Sequence, residues 1–145
     1  MSVVSNIYAD TSFFVSLYLT ERHTPEAERR LRARPSLSIT PLHVAEWVHA
    51  IEQHVFHKAI SRSAADRLLQ RFQEHRDLGL WREAPLPDRA FEVCAELAHR
   101  HVARLGVRTL DTLHVASALE LKAEQFWTFD ERQAKLATSA GLKTS

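Results

Sequence analysis

The chain has 145 residues, of which 45% are apolar and 26% charged, and its formal net charge at pH 7 is +1. These values are ordinary for one globular domain spanning residues 1–145, and they give no sign of a broadly basic nucleic-acid-binding surface or a low-complexity tract. The sequence contains no apolar run of membrane-spanning length and no secretory signal pattern. We therefore expect a cytoplasmic protein without a membrane partner.

The predicted elements alternate between short strands and helices. Apolar or β-branched runs between turn residues predict strands, and apolar residues at helical spacing behind Ser, Thr or Pro predict helices. In chain order we predict a strand at 3–9, helices at 12–19 and 24–34, a strand at 37–40, helices at 41–56 and 61–76, a strand at 80–84, helices at 88–104 and 109–122, a strand at 125–129, a helix at 130–140 and a strand at 142–144.

This order of elements predicts the fold class. Strands that are separated by helices favour parallel pairing through crossover connections. The prediction is an α/β fold, a three-layer α/β/α sandwich with a parallel sheet of about five short strands. In such sheets, sites form beyond the carboxyl ends of the strands, where the strand order reverses.

Four acidic residues lie in apolar or turn contexts at this predicted edge. Asp10 and Asp130 each end a predicted strand, and Asp111 begins the helix that leads into the fourth strand. Glu46 lies among apolar residues about a turn and a half into its helix, too far in to cap it. Because an unpaired carboxylate is costly to bury, four that converge would suit a hard divalent cation.

Each of three acids, taken singly, has a simpler interpretation. Asp10, Asp111 and Asp130 all precede or begin predicted helices and could serve as N-caps. Four acids at positions that reach one edge of a sheet are, however, less readily explained as unrelated caps.

The segments around these acids resemble the motifs of the PIN-domain nucleases. In the family's order, the resembling segments are 10–12 (Asp-Thr-Ser), 38–46 (ending in Glu), 108–116 (around Asp111) and 128–130 (Thr-Phe-Asp). The resemblance spans nearly the whole chain and is nearest to the VapC-type toxins of toxin–antitoxin pairs.

The resemblance implies an endoribonuclease that depends on Mg²⁺ or Mn²⁺. The implied metal ligands, direct or through water, are Asp10, Glu46, Asp111 and Asp130. It further implies that the hydroxyls of Ser12 and Thr128 orient these carboxylates. The implied partners are an RNA substrate, a cognate antitoxin and a second copy of the chain in a homodimer. Arg108 and Arg132 lie near the acids in sequence and are candidates either for binding RNA or for neutralising the acids.

Three alternatives stay open at this point. The chain could be a PIN nuclease of RNA processing outside toxin–antitoxin biology, or a binding protein that no longer cleaves. A ferritin-like di-iron protein is suggested by two Glu-x-x-His spacings, Glu46 to His49 and Glu96 to His99. That third alternative requires an all-helical chain, against which the strand-like segments 3–9 and 125–129 argue.

Overall fold

A five-stranded parallel sheet organises residues 6–144, the part of the chain that this computed structural model describes. The strands are β1 (Asn6–Ala9), β2 (Ser36–Ile39), β3 (Arg82–Glu83), β4 (Gln125–Trp127) and β5 (Lys143–Thr144). The helices are α1 (Thr11–Tyr18), α2 (Thr24–Leu31), α3 (Pro41–Phe56), α4 (Arg62–Asp77), α5 (Ala90–Leu105), α6 (Thr109–Glu120) and α7 (Glu131–Ser139). None of these helices is long and apolar enough to cross a membrane.

Strand β1 lies at the centre of the sheet, whose strand order is β3-β2-β1-β4-β5. All four pairings are parallel. The chain first adds β2 and β3 on one side of β1 and then crosses to add β4 and β5 on the other. The strand order therefore reverses between β1 and β4, the place where α/β sheets form their ligand sites. The predicted α/β fold is confirmed.

Two apolar cores lie on opposite faces of the sheet, and successive side chains of β1 enter them in turn. Ile7 and Ala9 pack with residues of α1 to α4, whereas Tyr8 packs with residues of α5 to α7. Strand β4 shows the same alternation, with Trp127 in the first core and Phe126 in the second. Because successive side chains of a strand point to opposite faces, each short strand joins both helical layers.

The predicted elements are all present, and the differences are at their ends. Strand β4 ends at Trp127 rather than at 129, because the next residues turn towards α7. Helix α1 begins at Thr11 rather than at 12, and Asp10 is its N-cap. The first part of the predicted strand at 3–9, residues 3–5, lies outside the described residues.

The buried His43 ties the start of α3 to the end of β1. Its Nδ1 accepts a hydrogen bond from the backbone N–H of Thr40 at 3.1 Å, and its Nε2 donates to the carbonyl oxygen of Ala9 at 2.8 Å. Burial, together with the nearby His114, lowers the pKa of His43 to about 3. The neutral ring therefore keeps both hydrogen bonds near neutral pH and holds α3, and with it Glu46, beside the end of β1.

Candidate active site

The four predicted acids come from four helices at the switch point of the sheet. Asp10 is the N-cap of α1 directly after β1, and Asp130 is the N-cap of α7 just beyond β4. Asp111 lies in the first turn of α6, and Glu46 in the second turn of α3. Two of the acids thus are N-caps, as the simpler interpretation expected, but their caps stand side by side because β1 and β4 are neighbours.

The electrostatics show that Asp111 is close enough to the other acids for their charges to interact. Burial raises the pKa of Asp10 to about 6 against the opposing effects of His114 and Ser12, and the charge of Asp111 raises it further. Burial also raises the pKa of Asp111, as do the charges of Asp130 and Glu46. Asp111 therefore couples to the other three acids. A group of carboxylates with this mutual repulsion attracts a cation.

Two donors hold one oxygen of Asp10, and a third polar group lies beside the other. Its Oδ1 accepts from the hydroxyl of Ser12 at 2.7 Å and from the backbone N–H of Phe13 at 3.4 Å. Its Oδ2 lies 3.4 Å from the hydroxyl of Thr128. Both hydroxyls that the resemblance implied thus contact the same carboxylate. Only 6% of Asp10 is exposed, so the acid has little water to stabilise its charge.

Glu46 is oriented by a buried histidine that the sequence motifs did not single out for this role. Its Oε1 accepts hydrogen bonds from Nε2 of His114 and, at 2.7 Å, from the hydroxyl of Thr11. Nδ1 of His114 is hydrogen-bonded to the hydroxyl of Tyr8 at 2.7 Å, so both ring nitrogens have partners. Burial alone would raise the pKa of Glu46, but the hydrogen bonds and charge of His114 and the hydroxyl of Thr11 lower it.

A second network links Asp111 and Asp130 on the opposite side of the site. The buried Gln133 donates its backbone N–H to Asp130 at 2.8 Å and its side-chain amide to the carbonyl oxygen of Asp111 at 3.1 Å. Its Oε1 accepts from Thr128 at 2.7 Å. Asp130 itself is exposed, so its charge is solvated, contrary to the expectation from its aromatic sequence context.

The two arginines lie around a cavity of about 450 Å³ whose lining includes Asp111 and Asp130. Arg108 Nε lies 3.5 Å from Asp111 Oδ2, and 88% of the Arg108 side chain is exposed. Arg132 lies opposite and passes close to Gly106, where the backbone turns from α5 towards α6. Cationic side chains therefore flank the acids on this side, and both guanidinium groups are accessible to solvent.

The side chains as they stand do not form a closed metal cage. Within residues 6–144, no group of three or more His, Cys, Asp or Glu side chains is arranged so that it could hold an ion unaided. The donor chemistry nevertheless fits a hard cation, since all four candidates are carboxylates and the charges of Glu46 and Asp130 raise the pKa of Asp111. Magnesium commonly uses only one or two carboxylates and completes its shell with water and substrate phosphate.

The two Glu-x-x-His segments of the di-iron alternative do not lie in a four-helix bundle. The chain has a parallel sheet, so the all-helical expectation is wrong. Glu46 binds His114 rather than His49, and His99 is an exposed residue of α5.

The sequence matches the family model described as the PIN domain over residues 7–138. A parallel α/β sheet with carboxylates near its switch point is the kind of site that can bind a cation. The family match covers most of the chain, so the chain belongs to the PIN-domain family. No curated protein matches the chain in sequence.

Solved structures of toxin–antitoxin proteins share the fold. VapC20 of Mycobacterium tuberculosis, a sarcin–ricin loop cleaving toxin, is 19% identical with a TM-score of 0.66, over 94% of this chain and 95% of that one. VapBC2 of Rickettsia felis, bound to a promoter DNA fragment, is 14% identical with a TM-score of 0.67, over 96% of each chain. FitAcB of Neisseria gonorrhoeae is 16% identical with a TM-score of 0.66, over 95% of each chain.

We expect Asp10→Asn to stabilise the metal-free fold near neutral pH. The pKa of Asp10 is raised from 3.8 to about 6, so the folded state holds a proton that the unfolded chain has released. Ionising Asp10 therefore lowers stability as the pH rises through this window, by at most about 3 kcal/mol above it. The amide oxygen of asparagine can still accept from Ser12 and Phe13. Thermal unfolding in EDTA should show the higher midpoint for the variant near pH 7.

Below the pKa of the unfolded carboxyl the difference should disappear, because both states are then protonated. The exposed Asp88 offers a matched control, and Asp88→Asn should leave the midpoint unchanged at both pH values. A lower midpoint for Asp10→Asn near pH 7 would contradict the crowding of charge described here.

Proposed function

We propose that this protein is a metal-dependent endoribonuclease and the toxin of a toxin–antitoxin pair, with residues 1–145 acting as one catalytic domain. The observation that supports the proposal is the position of the four motif carboxylates, Asp10, Glu46, Asp111 and Asp130, near the switch point of a PIN-domain sheet, where the charge of Asp111 interacts with the other three. The fold shared with VapC20, itself a sarcin–ricin loop cleaving toxin, supports the choice of RNA as substrate.

The four carboxylates would hold Mg²⁺ or Mn²⁺, directly or through water. Asp10 is the best-ordered candidate, because hydrogen bonds from Ser12 and Phe13 fix its Oδ1, and the hydroxyl of Thr128 lies 3.4 Å from its Oδ2. When bound, such a cation lowers the pKa of a coordinated water and neutralises charge on the phosphate that is cleaved.

The remaining residues contribute position rather than covalent chemistry. His114 and Thr11 both contact Oε1 of Glu46, so its Oε2 stays available for a ligand or for a water. Gln133 holds the segments that carry Asp111 and Asp130 at a fixed spacing. The exposed guanidinium groups of Arg108 and Arg132 would meet the phosphates that flank the scissile bond.

We expect the purified protein, freed of antitoxin, to cut total cellular RNA into discrete fragments with Mg²⁺ or Mn²⁺ and not with excess EDTA. Asp10→Asn and Asp111→Asn should each remove the cleavage while the fold persists, because each loses a negative ligand oxygen at the metal site. Gel analysis of the RNA, with circular dichroism of each variant, measures both expectations.

Cleavage by Asp10→Asn at the wild-type rate would indicate a contaminating nuclease and refute the assignment. Asp88→Asn, at an exposed position away from the site, should cleave like the wild type and controls for preparation effects.

Arg108→Gln is expected to weaken RNA binding without changing which sequence is cut. Since the guanidinium is largely exposed, its ion pair with Asp111 is screened and leaves it free to meet a phosphate. Loss of one phosphate contact should reduce the slope of log affinity against log salt by about 1. Titrations at several salt concentrations measure this, and the exposed Arg100 of α5 gives the control Arg100→Gln. An unchanged slope would assign Arg108 to neutralising the acids.

The proposed protein partners are a cognate antitoxin and a second copy of this chain. The antitoxin proposal is supported by the likeness to the toxin–antitoxin structures VapBC2 and FitAcB. An antitoxin arginine or lysine could pair with the carboxylates and exclude the metal. We expect light scattering after size exclusion to give a dimer at micromolar concentration, which a monomer mass would contradict.

A PIN nuclease of RNA processing outside toxin–antitoxin biology is the second candidate. A short reading frame for an antitoxin immediately beside this gene would favour the toxin, and its absence would favour the RNA-processing enzyme.

A further inference from the structure

A second cavity, of about 470 Å³, is lined by residues of α1 and α3 and by neither of the two arginines. It shares Thr11, Ser12 and Glu46 with the acid site and continues past them to His23 and His54. The roles proposed above for the four acids do not explain this extension. It begins where the carboxylates end, so a polymer bound at the acids would pass directly into it.

The wall of this cavity at His23 is an aromatic stack. The imidazole of His23 lies parallel to the ring of Phe129, with a centroid distance of 4.3 Å and an interplanar angle of 2°. Phe129 precedes Asp130 in the chain, so the stack adjoins the acid site. The guanidinium of Arg30 lies 5.6 Å from the Phe129 centroid, which adds a cation–π contact to the same ring.

The turn that carries His23 is held by polar contacts of its own. Glu21 accepts hydrogen bonds from the hydroxyl of Ser16 and, at 3.0 Å, from the backbone N–H of His23. The buried Thr24 donates to the carbonyl oxygen of Ser16 at 2.7 Å. The imidazole makes no capping hydrogen bond to α2, and its Nε2 accepts a hydrogen bond from Nε of the exposed Arg22 at 3.1 Å, which leaves the faces of the ring unused by that bond. A ring held in place by its neighbours, but not used to cap its own helix, is available to a ligand.

The polar groups of the cavity suit a base better than a phosphate. Glu21 and Glu46 contribute negative charge, which repels a phosphate. His54 donates from Nδ1 to the carbonyl oxygen of Ala50 at 2.7 Å, so its Nε2 can accept a hydrogen bond from an exocyclic amino group. Nucleobases in single-stranded RNA are recognised by stacking on aromatic rings and by hydrogen bonds at their edges.

We propose that this cavity binds one base of a single-stranded RNA next to the scissile phosphate, with His23 as the stacking surface and Phe129 behind it. The inference rests on the proposed ribonuclease function and adds the path that the RNA takes across the site. The RNA backbone runs from the arginines, across the carboxylates, and places its neighbouring base in the cavity between α1 and α3.

The test measures RNA binding in the Asp10→Asn background, where the strand stays intact. The probe is a single-stranded RNA decamer of random sequence that carries fluorescein and a purine analogue whose emission falls on stacking. Adding His23→Ala should weaken binding roughly tenfold, within the range for loss of one stacked base, and should relieve the quenching. His23→Phe keeps a flat ring and should restore both signals. His99→Ala, an exposed histidine of α5, should change neither.

Salt dependence separates this site from the phosphate contacts. His23→Ala should lower affinity by the same factor at every salt concentration, because stacking releases no counterions, whereas an arginine variant changes the slope. Circular dichroism melts confirm that each variant is folded.

Unchanged RNA affinity in folded His23→Ala overturns the proposal, and it does so even where wild-type protein cleaves RNA with metal, in which case the nuclease function stands. Unchanged RNA affinity combined with weaker binding of the antitoxin would assign the cavity to the protein partner instead. If neither cleavage nor decamer binding occurs in the parent protein, both proposals fail together.

Discussion

The burial of carboxylates at the end of β1, to which their mutual repulsion adds, is the constraint on which the rest of this site depends. Burial and neighbouring charges raise the pKa of both Asp10 and Asp111, so the folded chain keeps these groups together at a cost in stability. Each acid is consequently held by something else: the N-cap geometry of α1 holds Asp10, and the N-cap geometry of α7 holds Asp130. Strain of this kind is common where a protein binds a cation.

The two apolar cores supply the rigidity that this crowding requires. Helices α1 and α3 pack on one face of the sheet, and α6 and α7 pack on the other. The acids therefore reach the site from both layers, and β1 and β4 set the distance between them. The buried imidazoles of His43 in α3 and His114 in α6 contact each other here, with centroids 4.8 Å apart, and so join the two helical layers. His43 holds the start of α3 to β1, and His114 of α6 holds Glu46 of α3.

The surroundings of the carboxylates differ on their two sides. One side carries the exposed Arg108 and Arg132, which suit phosphate. The other side carries the His23–Phe129 stack and the imidazole of His54, which suit a base. This asymmetry would orient an RNA strand bound as we propose, which a ring of acids alone would not.

The sequence by itself determined the order of the elements, the parallel α/β class and the four acids, because these depend on local patterns. Strands alternate with helices in the printed chain, and Asp10 and Asp130 stand beside the apolar runs that precede them. Only the tertiary structure decided which groups hold Glu46 and which ring lies against Phe129. Glu46 and His114 are 68 residues apart, and no periodicity relates them. Such contacts arise when β4 is inserted beside β1 and brings the two helical layers together, which is a property of the sheet and not of any segment.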